Sequence, residues 1–403
     1  MSSCVARQPI FNKSLNIYGY ELLYRDNSSS SGYTGADGDM ATSETIANTF
    51  HEIGVERVTG GKRAFVNFTE KLLLSNVATI LPRHILIIEI LENILPTPEI
   101  LETCAKLRKQ GYKLALDDFI FEPQFLPLLN VADIIKVDFL STPMRVINKY
   151  AAVLKNKDII LLAEKVESQD IFDQAMEMGF SLFQGYFFSK PAIVEASERQ
   201  LSPLKLNCLE LIRLSHDPNV NFERISSVIK RDVALSYRLF RVVNSAFFGL
   251  SYSIQNVKQA LTFLGMNEVK KWITLISLAE MTEGKPDELI RISLIRGRFL
   301  EILGSSLNRV SNLEDLYLLG IMSLIDAIMD MELSEILGMM HISPNITGPL
   351  ITRSGLYGEL LSLVIHYEKS EWDEALALAD KYKITESTLN NAYLAAVDWA
   401  SIY

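Results

Sequence analysis

Pairs and single residues with oxygen-bearing side chains follow short apolar runs in the first half of this sequence. In Lys113–Phe119, three apolar residues lead directly into the adjacent carboxylates Asp117 and Asp118. Two neighbouring carboxylates repel each other unless a cation or hydrogen bonds compensate, and hard divalent cations prefer oxygen ligands. The pair is therefore a candidate metal site. A helix N-cap followed by a first-turn acid is the commoner use of two adjacent aspartates, and the pair alone leaves both interpretations open.

The same pattern recurs along the first half of the chain. Short apolar runs bounded by polar residues predict buried strands. The runs are Ile17–Tyr24, Ala64–Phe68, Ile85–Ile90, Lys113–Leu116, Ala132–Val137, Asp158–Ala163 and Ser181–Phe183. In or just after them stand Glu21 with Arg25, Asn67, Glu89, Asp117 with Asp118, Lys136 with Asp138, Glu164 with Glu167, and Gln184. Helix capping explains one such residue, but it does not explain the whole series.

Helical patterns between these runs indicate the fold. One begins near Ser43, and another covers Ile100–Gln110 and ends at Gly111. Apolar strands that alternate with helices are typical of a TIM-like (β/α) barrel, an α/β fold. The carboxyl ends of its strands meet on one rim, where catalytic residues and ligands gather. The sequence therefore predicts an oxygen-rich rim with one lysine, suited to Mg²⁺-like ions and a phosphate substrate.

The composition limits partners and compartment. A length of 403 residues allows about two or three domains. The net charge of −10 and the pI near 5.2 argue against binding to polymeric nucleic acid, which needs clustered Lys and Arg. The three cysteines are scattered and indicate no disulfide framework. We expect neither a signal peptide nor a membrane span, and therefore a cytoplasmic protein.

The ordered set of rim motifs resembles the EAL domain of bacterial cyclic di-GMP phosphodiesterases. The resemblance covers about residues 1–195, and its combination of motifs is highly specific. The matching pieces are Gln8-Pro9-Ile10, Glu21-Leu22-Leu23-Tyr24-Arg25, Asn67, Glu89-Ile90-Leu91-Glu92, Asp117-Asp118-Phe119, Lys136-Val137-Asp138, Ala163-Glu164-Lys165-Val166-Glu167 and Gln184-Gly185-Tyr186. The resemblance implies hydrolysis of one phosphodiester of cyclic di-GMP to the linear dinucleotide, with two Mg²⁺ or Mn²⁺ ions.

The resemblance also implies roles for single residues. Lys136 would lie beside the attacking water, Glu164 would help to position the water, and both would be catalytic together with Glu21. Arg25 would contact a phosphate of the ligand, whereas an ion pair with Asp26 is the alternative. A solvated strand-end acid is the alternative for Glu21. The implied metal ligands are Glu21, Asn67, Glu89, Asp117 and Asp118, and the implied ligand-binding residues are Arg25, Asp138, Glu167 and Gln184.

Three departures from the family pattern surround this rim. Active members carry a loop rich in Gly and Ser after the Asp-Asp pair, whereas this chain has Ile120–Phe125. A β-branched residue disfavours positive φ, so the loop must take another shape. Leu22 replaces an alanine, and Lys165 replaces a glycine and brings a long cation to the rim. We expect a barrel that binds cyclic di-GMP and cleaves it slowly or not at all; a non-catalytic protein–protein adaptor is the alternative.

The second half of the chain has the periodicity of helices. The predicted helices are Leu204–Arg213, Phe222–Lys230, Ala234–Asn244, Val257–Leu264 with Gly265 as its C-cap, Glu268–Met281, Glu288–Leu307, Leu313–Met329, Leu333–Leu337, Ser354–Tyr367, Trp372–Tyr382 and Glu386–Ser401. The pieces Ile229–Leu235, Val243-Asn244-Ser245, Ile254–Ala260 and Leu264-Gly265 resemble the HDOD domain, a separate all-α domain. This resemblance implies a signalling or interaction module that binds a protein partner, and a homodimer is left open.

His216-Asp217 is the one pair in this half that suggests a metal-dependent HD site. Such a site needs further His and Asp ligands from other helices, and the half contains only His216, His341 and His366. Pro218 follows directly, so we predict a turn or N-cap without metal or catalysis. The predicted domains are a barrel at 1–195, a linker at 196–203 and a helical domain at 204–403.

Overall fold

Eight strands close into a barrel in the order β1 to β8. They are β1 Cys4–Asn12, β2 Ile17–Arg25, β3 Arg63–Phe68, β4 Leu86–Ile90, β5 Lys113–Leu116, β6 Ile134–Asp138, β7 Ile160–Glu164 and β8 Leu182–Gln184. The computed structural model describes residues 4–25, 55–75, 77–119, 121–154, 157–190, 203–215, 217, 219–244, 254–282, 285–310, 312–340 and 342–401. The predicted barrel is therefore confirmed, and the seven predicted strands shift by two residues at most.

Strand β1 is the element that the sequence pattern did not reveal. Arg7, Gln8 and Pro9 interrupt its apolar residues, so no short apolar run stands out. β1 pairs antiparallel with both β2 and β8, whereas the strands from β2 to β8 pair in parallel. The barrel therefore begins with an antiparallel hairpin and is a variant of the regular strand–helix repeat.

Short helices cover the outside of the parallel strands. They are α1 Val55–Thr59, α2 Glu70–Leu74, α3 Pro98–Lys109, α4 Met144–Leu154 and α5 Gln169–Glu177. Helix α3 shows how the sequence sets their bounds. Thr97 caps its amino end by accepting a hydrogen bond from the Ile100 amide, Pro98 occupies the first turn, and Ile100, Cys104 and Leu107 form the buried face.

The second half of the chain is helical in the described residues. Its helices are α6 Pro203–Ser215, α7 Phe222–Ile229, α8 Val233–Val243, α9 Val257–Leu264, α10 Met266–Met281, α11 Asp287–Ser305, α12 Leu313–Met322, α13 Ile325–Met329, α14 Leu333–Met340, α15 Pro344–Thr352, α16 Gly355–Glu368, α17 Trp372–Lys381 and α18 Glu386–Ala400. None of them combines the length and apolar character needed to cross a bilayer. Gly265 ends α9 with a φ of 78°, as its predicted C-cap role requires.

Two helix predictions were wrong. The predicted helix Leu313–Met329 is divided into α12 and α13. The break was not predicted, because the apolar pattern continues through it. Helix α15 was missed, since Gly348 and Pro349 lie inside it, and both residues usually disfavour a helix interior. The predicted helix near Ser43, residue Ile120, and residues 196–202 of the predicted linker lie outside the described residues.

The helical half covers the barrel wall at β1. Helices α16 and α18 contact this strand directly. The Val5 amide donates a hydrogen bond to Asn390 Oδ1 of α18 at 3.1 Å. The hydroxyl of Tyr367 of α16 lies 3.2 Å from the Val5 carbonyl oxygen and 3.1 Å from Asn390 Oδ1. Because β1 is followed by a hairpin and not by a helix, these helices occupy the place of a missing barrel helix.

Candidate active site

The polar rim follows from the two-residue repeat of the strands. A buried apolar layer inside the barrel consists of Ile10, Phe65, Ile87, Ala115, Ile134, Leu162 and Leu182. Side chains two positions apart on a strand point to the same face. Two residues after the last six of these positions stand, in order, Asn67, Glu89, Asp117, Lys136, Glu164 and Gln184. The barrel interior therefore changes from apolar to polar at one level, and Glu21 joins this level from β2.

Lys136 lies at the centre of this polar level with its side chain 1% exposed. Its Nζ is surrounded by four carboxylates. The distances are 2.6 Å to Asp117 Oδ1, 2.7 Å to Glu89 Oε1, 3.0 Å to Glu164 Oε1 and 3.6 Å to Glu21 Oε2. One ammonium thus faces four acids, and the cluster carries an excess of negative charge unless protons or cations compensate.

The lysine stays protonated in this surrounding. Burial lowers the pKa of Lys136, because it removes water from the charged form, but Glu164, Glu21 and the other two carboxylates outweigh this effect. Together they hold the Lys136 pKa well above its usual range. Lys136 can therefore supply positive charge near neutral pH, but it cannot act as a base there.

Two of the carboxylates are difficult to ionise. Burial raises the pKa of Glu89 well above its usual range, and Glu21 and Asp117 add repulsion, while Lys136 only partly opposes them. Burial also raises the pKa of Glu164 to about 8, with further repulsion from Asp117 and Glu21 and an opposing effect of Lys136. The cluster therefore retains protons at neutral pH as long as no further cation is bound.

Several buried oxygens at this level have no hydrogen-bond partner. They are Asn67 Oδ1, Glu89 Oε2, Asp118 Oδ1, Glu164 Oε2 and Gln184 Oε1. A buried polar atom without a partner costs about 1–3 kcal/mol. Carboxylate and amide oxygens are the donors that hard divalent cations prefer. The chemistry of the donor set therefore fits a Mg²⁺-like ion.

The present side-chain positions are those of a lysine-centred cluster. Among the described residues, no three carboxylate, imidazole or thiol groups are already arranged as the ligands of one ion. The Lys136 ammonium occupies the point on which Glu89, Asp117 and Glu164 converge. Binding of an ion would therefore require some of these carboxylates to turn from the ammonium toward the ion.

Gln184 connects this cluster to strand β1. Its Nε2 donates hydrogen bonds to Glu21 Oε2 at 2.6 Å and to Gln8 Oε1 at 3.1 Å. Gln8 Nε2 in turn donates to the carbonyl oxygen of Lys369, which caps the carboxyl end of α16, at 3.4 Å. The sequence does not reveal the link to Lys369, because 361 positions separate the two residues.

Lys165, one of the departures, and Asp118, a residue of the matching motif, share an unusual backbone conformation. Asp118 has a φ of 40° and Lys165 a φ of 52°, in the left-handed region that favours glycine. The family glycine at the position of Lys165 fits this conformation. Lys165 Nζ binds Asp138 Oδ2 at 2.5 Å, and Asp138 Oδ1 also accepts hydrogen bonds from the amides of Leu140 and Ser141. Asp138 is therefore already engaged within the chain.

Two other predicted ligand-binding residues lie apart from the lysine-centred cluster. Arg25 forms an ion pair with Asp373 of α17 at 3.1 Å, and its side chain is 29% exposed. Asp26, its predicted alternative partner, lies outside the described residues. Glu167 is half exposed and lies 3.4 Å from Lys190 Nζ. The structure thus gathers Glu21, Glu89, Asp117, Lys136, Glu164 and Gln184 tightly, and leaves Arg25 and Glu167 in salt bridges outside the cluster.

In the helical half, Asp217 stands in a turn. Its Oδ1 accepts a hydrogen bond from the Asn219 amide at 2.9 Å, and its Oδ2 lies 2.8 Å from Arg224 NH1. His216, Pro218 and His341 lie outside the described residues. His366 is engaged with Glu371, whose Oε2 is 2.5 Å from His366 Nδ1.

Comparisons with known proteins match the barrel half and the helical half of the chain to two different families. The family model of the EAL domain matches residues 3–191, and that of the HDOD domain matches residues 201–334. YuxH of Bacillus subtilis, an uncharacterized protein, is 38% identical over 403 residues, which cover 98% of this chain and 97% of YuxH. The chain belongs to the EAL–HDOD family. Helices α15 to α18 of this EAL–HDOD protein lie beyond both family matches.

A second relative of this EAL–HDOD protein is named for an activity. Cyclic di-GMP phosphodiesterase CdgJ of Vibrio cholerae is 33% identical over 370 residues, which cover 91% of this chain and 85% of CdgJ. Among solved structures, a calcium and cyclic di-GMP complex of Klebsiella pneumoniae BlrP1 is 23% identical with a TM-score of 0.40. That match covers 47% of this chain and 56% of the BlrP1 chain.

Proposed function

We propose that this EAL–HDOD protein binds cyclic di-GMP at the barrel rim and hydrolyses one of its phosphodiesters slowly. The observation that carries the proposal is the ring of four buried carboxylates around Lys136, with unpartnered oxygens beside it. An excess of buried acid is costly as a purely structural feature. The substrate class is taken from the EAL family and from the name of CdgJ.

The residues assigned to a metal in this proposal are those with convergent oxygens. Glu21, Asn67, Glu89 and Asp117 would hold one Mg²⁺ or Mn²⁺ ion, and Asp117 with Asp118 would reach toward a second. When bound, such ions acidify a water molecule and offset negative charge on the attacked phosphate. The donor set suits these hard cations better than softer ones, because it contains oxygen atoms only.

Lys136 and Glu164 have separate tasks in this proposal. The permanently charged Lys136 stabilises the negative charge that builds on the phosphate and on the attacking oxygen. Glu164 Oε2 has no partner, and without metal the pKa of this carboxyl is raised to about 8, so this is the group of the cluster placed to hold or release a proton. Gln184 keeps Glu21 in place by donating a hydrogen bond to its Oε2.

Slow turnover is proposed because two of the predicted ligand contacts are already engaged. Lys165 holds Asp138, and Asp373 holds Arg25. The same contacts support the second candidate, a non-catalytic adaptor whose barrel has ceased to bind the nucleotide. In both cases the partner of the helical half stays a prediction, as do the homodimer and the predicted domain limits.

The deciding experiment is hydrolysis of cyclic di-GMP by the full chain with Mg²⁺ and with Mn²⁺, with Glu21→Ala as the control. We expect slow formation of the linear dinucleotide, which the control abolishes. A thermal-shift titration with cyclic di-GMP accompanies it, because a ligand that binds only the folded state raises stability. Binding without hydrolysis would mean that the barrel is a receptor for cyclic di-GMP and not an enzyme. Absence of both would overturn the proposal in favour of the adaptor.

A pair of substitutions tests whether Lys165 limits turnover. Lys165→Met removes the ammonium but keeps the side-chain bulk, whereas Lys165→Gly also relieves the left-handed backbone. We expect both variants to hydrolyse cyclic di-GMP faster than the wild type, and Lys165→Gly to be the faster of the two. Unchanged rates in both variants would show that the Lys165–Asp138 pair is not the cause of slow turnover.

A further inference from the structure

A line of three hydrogen bonds joins the helical half to Glu21. It starts at the Lys369 carbonyl oxygen, which accepts from Gln8 Nε2 at 3.4 Å. Gln8 Oε1 accepts from Gln184 Nε2 at 3.1 Å, and Gln184 Nε2 donates to Glu21 Oε2 at 2.6 Å. These three hydrogen bonds therefore connect the carboxyl end of α16, through Gln8 and Gln184, to Glu21, a proposed metal ligand.

The direction of each bond in this line follows from the chemistry of its ends. An ionised carboxylate only accepts hydrogen bonds, so Gln184 must turn its amide nitrogen toward Glu21. The second hydrogen on that nitrogen then faces Gln8, which must present its oxygen. The Gln8 side-chain nitrogen then points away from Gln184 and donates to the Lys369 carbonyl oxygen, which can only accept a hydrogen bond. The orientation of both glutamines is thus determined from end to end.

The turn that carries Lys369 is held firmly in place. Glu368, directly before it, forms a buried ion pair with Arg296 of α11 at 2.8 Å. Lys369 Nζ lies 5.2 Å from the ring centre of Tyr186, which follows β8. Beyond it, the Glu371 amide donates to the His366 carbonyl oxygen at 2.9 Å. The Lys369 carbonyl is therefore a fixed acceptor, and its position depends on the packing of α11 and α16.

We propose that Gln8 is a positioning residue for the metal site, and that the turn 369–371 of the helical half sets its orientation. Gln8 acts on Glu21 through Gln184, so a movement of α16 changes how Glu21 is presented to an ion. This inference rests on the proposed role of Glu21 as a metal ligand. It gives the helical half a physical route to the barrel rim, through helices that lie beyond the HDOD match.

The test is the affinity of the full chain for Mn²⁺ without nucleotide, measured by electron paramagnetic resonance of the free ion. Gln8→Met keeps the side-chain length but removes both hydrogen bonds. We expect about 10–100-fold weaker Mn²⁺ binding, the usual effect of removing a residue that orients a metal ligand. Glu371→Ala removes the contact between the Glu371 carboxylate and His366 Nδ1, which holds the turn from outside the rim, and should weaken binding in the same direction.

Asp373→Ala is the matched control for these variants. It removes the ion pair between Arg25 and α17, which is another contact between the helical half and the barrel, but it leaves the three hydrogen bonds intact. We expect Mn²⁺ affinity within about twofold of the wild type for this variant, since exposed ion pairs contribute little. The melting temperature without metal, measured for every variant, shows that each one is folded.

The outcomes separate this inference from the proposed function. If Glu21→Ala leaves Mn²⁺ affinity unchanged, the proposed metal site itself is wrong. If Glu21→Ala abolishes binding while Gln8→Met binds like the wild type, the metal site stands and the positioning role is overturned. If Gln8→Met weakens binding but Glu371→Ala does not, Gln8 acts within the barrel alone, and the part assigned to the helical half is overturned.

Discussion

Two buried clusters of charged side chains differ in their balance of charge. The rim cluster has four carboxylates around Lys136. The interface cluster, formed by Arg7, Glu288, Arg291, Arg296 and Glu368, lies between the barrel and the helices. There Glu368 is 2.8 Å from Arg296, and Glu288 is 3.4 Å from Arg291 and accepts a hydrogen bond from the Tyr20 hydroxyl. Each carboxylate in the interface cluster therefore has a guanidinium of its own, although Glu368 Oε1 and Arg7 NH2 lack hydrogen-bond partners.

The comparison shows that charge balance distinguishes the two clusters better than burial does. Both clusters contain buried carboxyl groups whose pKa values are raised, chiefly because of burial. Only the rim cluster has more acids than bases. An unpaired buried charge is strongly unfavourable, so the rim cluster must take up protons or a cation. The interface cluster needs neither.

The largest expected effect comes from removing one cation from each cluster. Lys136→Met leaves four acids together, and we expect the free energy of unfolding in EDTA at pH 8 to fall by at least about 3–5 kcal/mol. Arg296→Met leaves only Glu368 without its ion-pair partner, so its loss of stability should be smaller. Urea unfolding measures both. Added Mg²⁺ should recover part of the stability of Lys136→Met only, and an equal response of the two variants would contradict the distinction.

The second effect is stabilisation by the ion itself. At a Mg²⁺ concentration of about 100 times Kd, the free energy of unfolding of the wild type should rise by about 2.7 kcal/mol. Glu89→Gln should lose this gain, because it removes a donor of the rim cluster. Glu368→Gln, the corresponding change in the interface cluster, should keep it. Thermal melts with and without Mg²⁺ provide the measurement, and a gain that survives in Glu89→Gln would place the ion elsewhere.

The third effect is a dependence of stability on pH in the absence of metal. The Glu164 pKa rises from 4.5 to about 8 on folding, so the folded state holds a proton that the unfolded state has lost between these values. This contribution to stability is complete below pH 4.5 and is lost as pH rises to about 8. The slope is about 1.4 kcal/mol per pH unit for one proton.

Glu164→Gln is the check on that pH dependence. The variant cannot ionise at this position, so its urea midpoint should vary less with pH than that of the wild type over the same window. Glu288→Gln serves as the matched variant in the interface cluster. If Glu164→Gln retains the full slope, the proton is held by another member of the rim cluster.

The smallest effect is expected at the exposed ion pair between Arg25 and Asp373. Asp373 has 93% of its side chain exposed. Asp373→Ala should therefore change the free energy of unfolding by less than about 1 kcal/mol. A larger loss in urea unfolding would mean that surface contacts, and not the buried clusters, hold the two halves together.

The barrel and its rim were largely predictable from the sequence. In six strands, β3 to β8, the interior face ends in an apolar residue followed two positions later by a polar one, as in Ile87 and Glu89, and this repeat is visible without a structure. Lys136 was identified as a rim residue, but its position amid four carboxylates depends on closure of the barrel. The sequence alone cannot show which of several converging acids lie nearest to it.

The contacts of the helical half were not predictable for a different reason. Gln8 and Lys369, or Val5 and Asn390, meet only because the chain returns to its first strand after hundreds of residues. The antiparallel strand β1 was itself missed, since its polar residues face partners that lie far away in sequence. Local periodicity carries no information about such long-range pairs.

The position of α16 and α18 on β1 has a consequence for synthesis of the chain. Strand β1 is synthesised several hundred residues before the helices that bury its outer side. Until α18 has been translated, Cys4 and Val5 of the nascent barrel are not covered by this helix. We therefore expect the barrel to gain resistance to proteases only after α18 has been synthesised, and the two halves to mature as one unit.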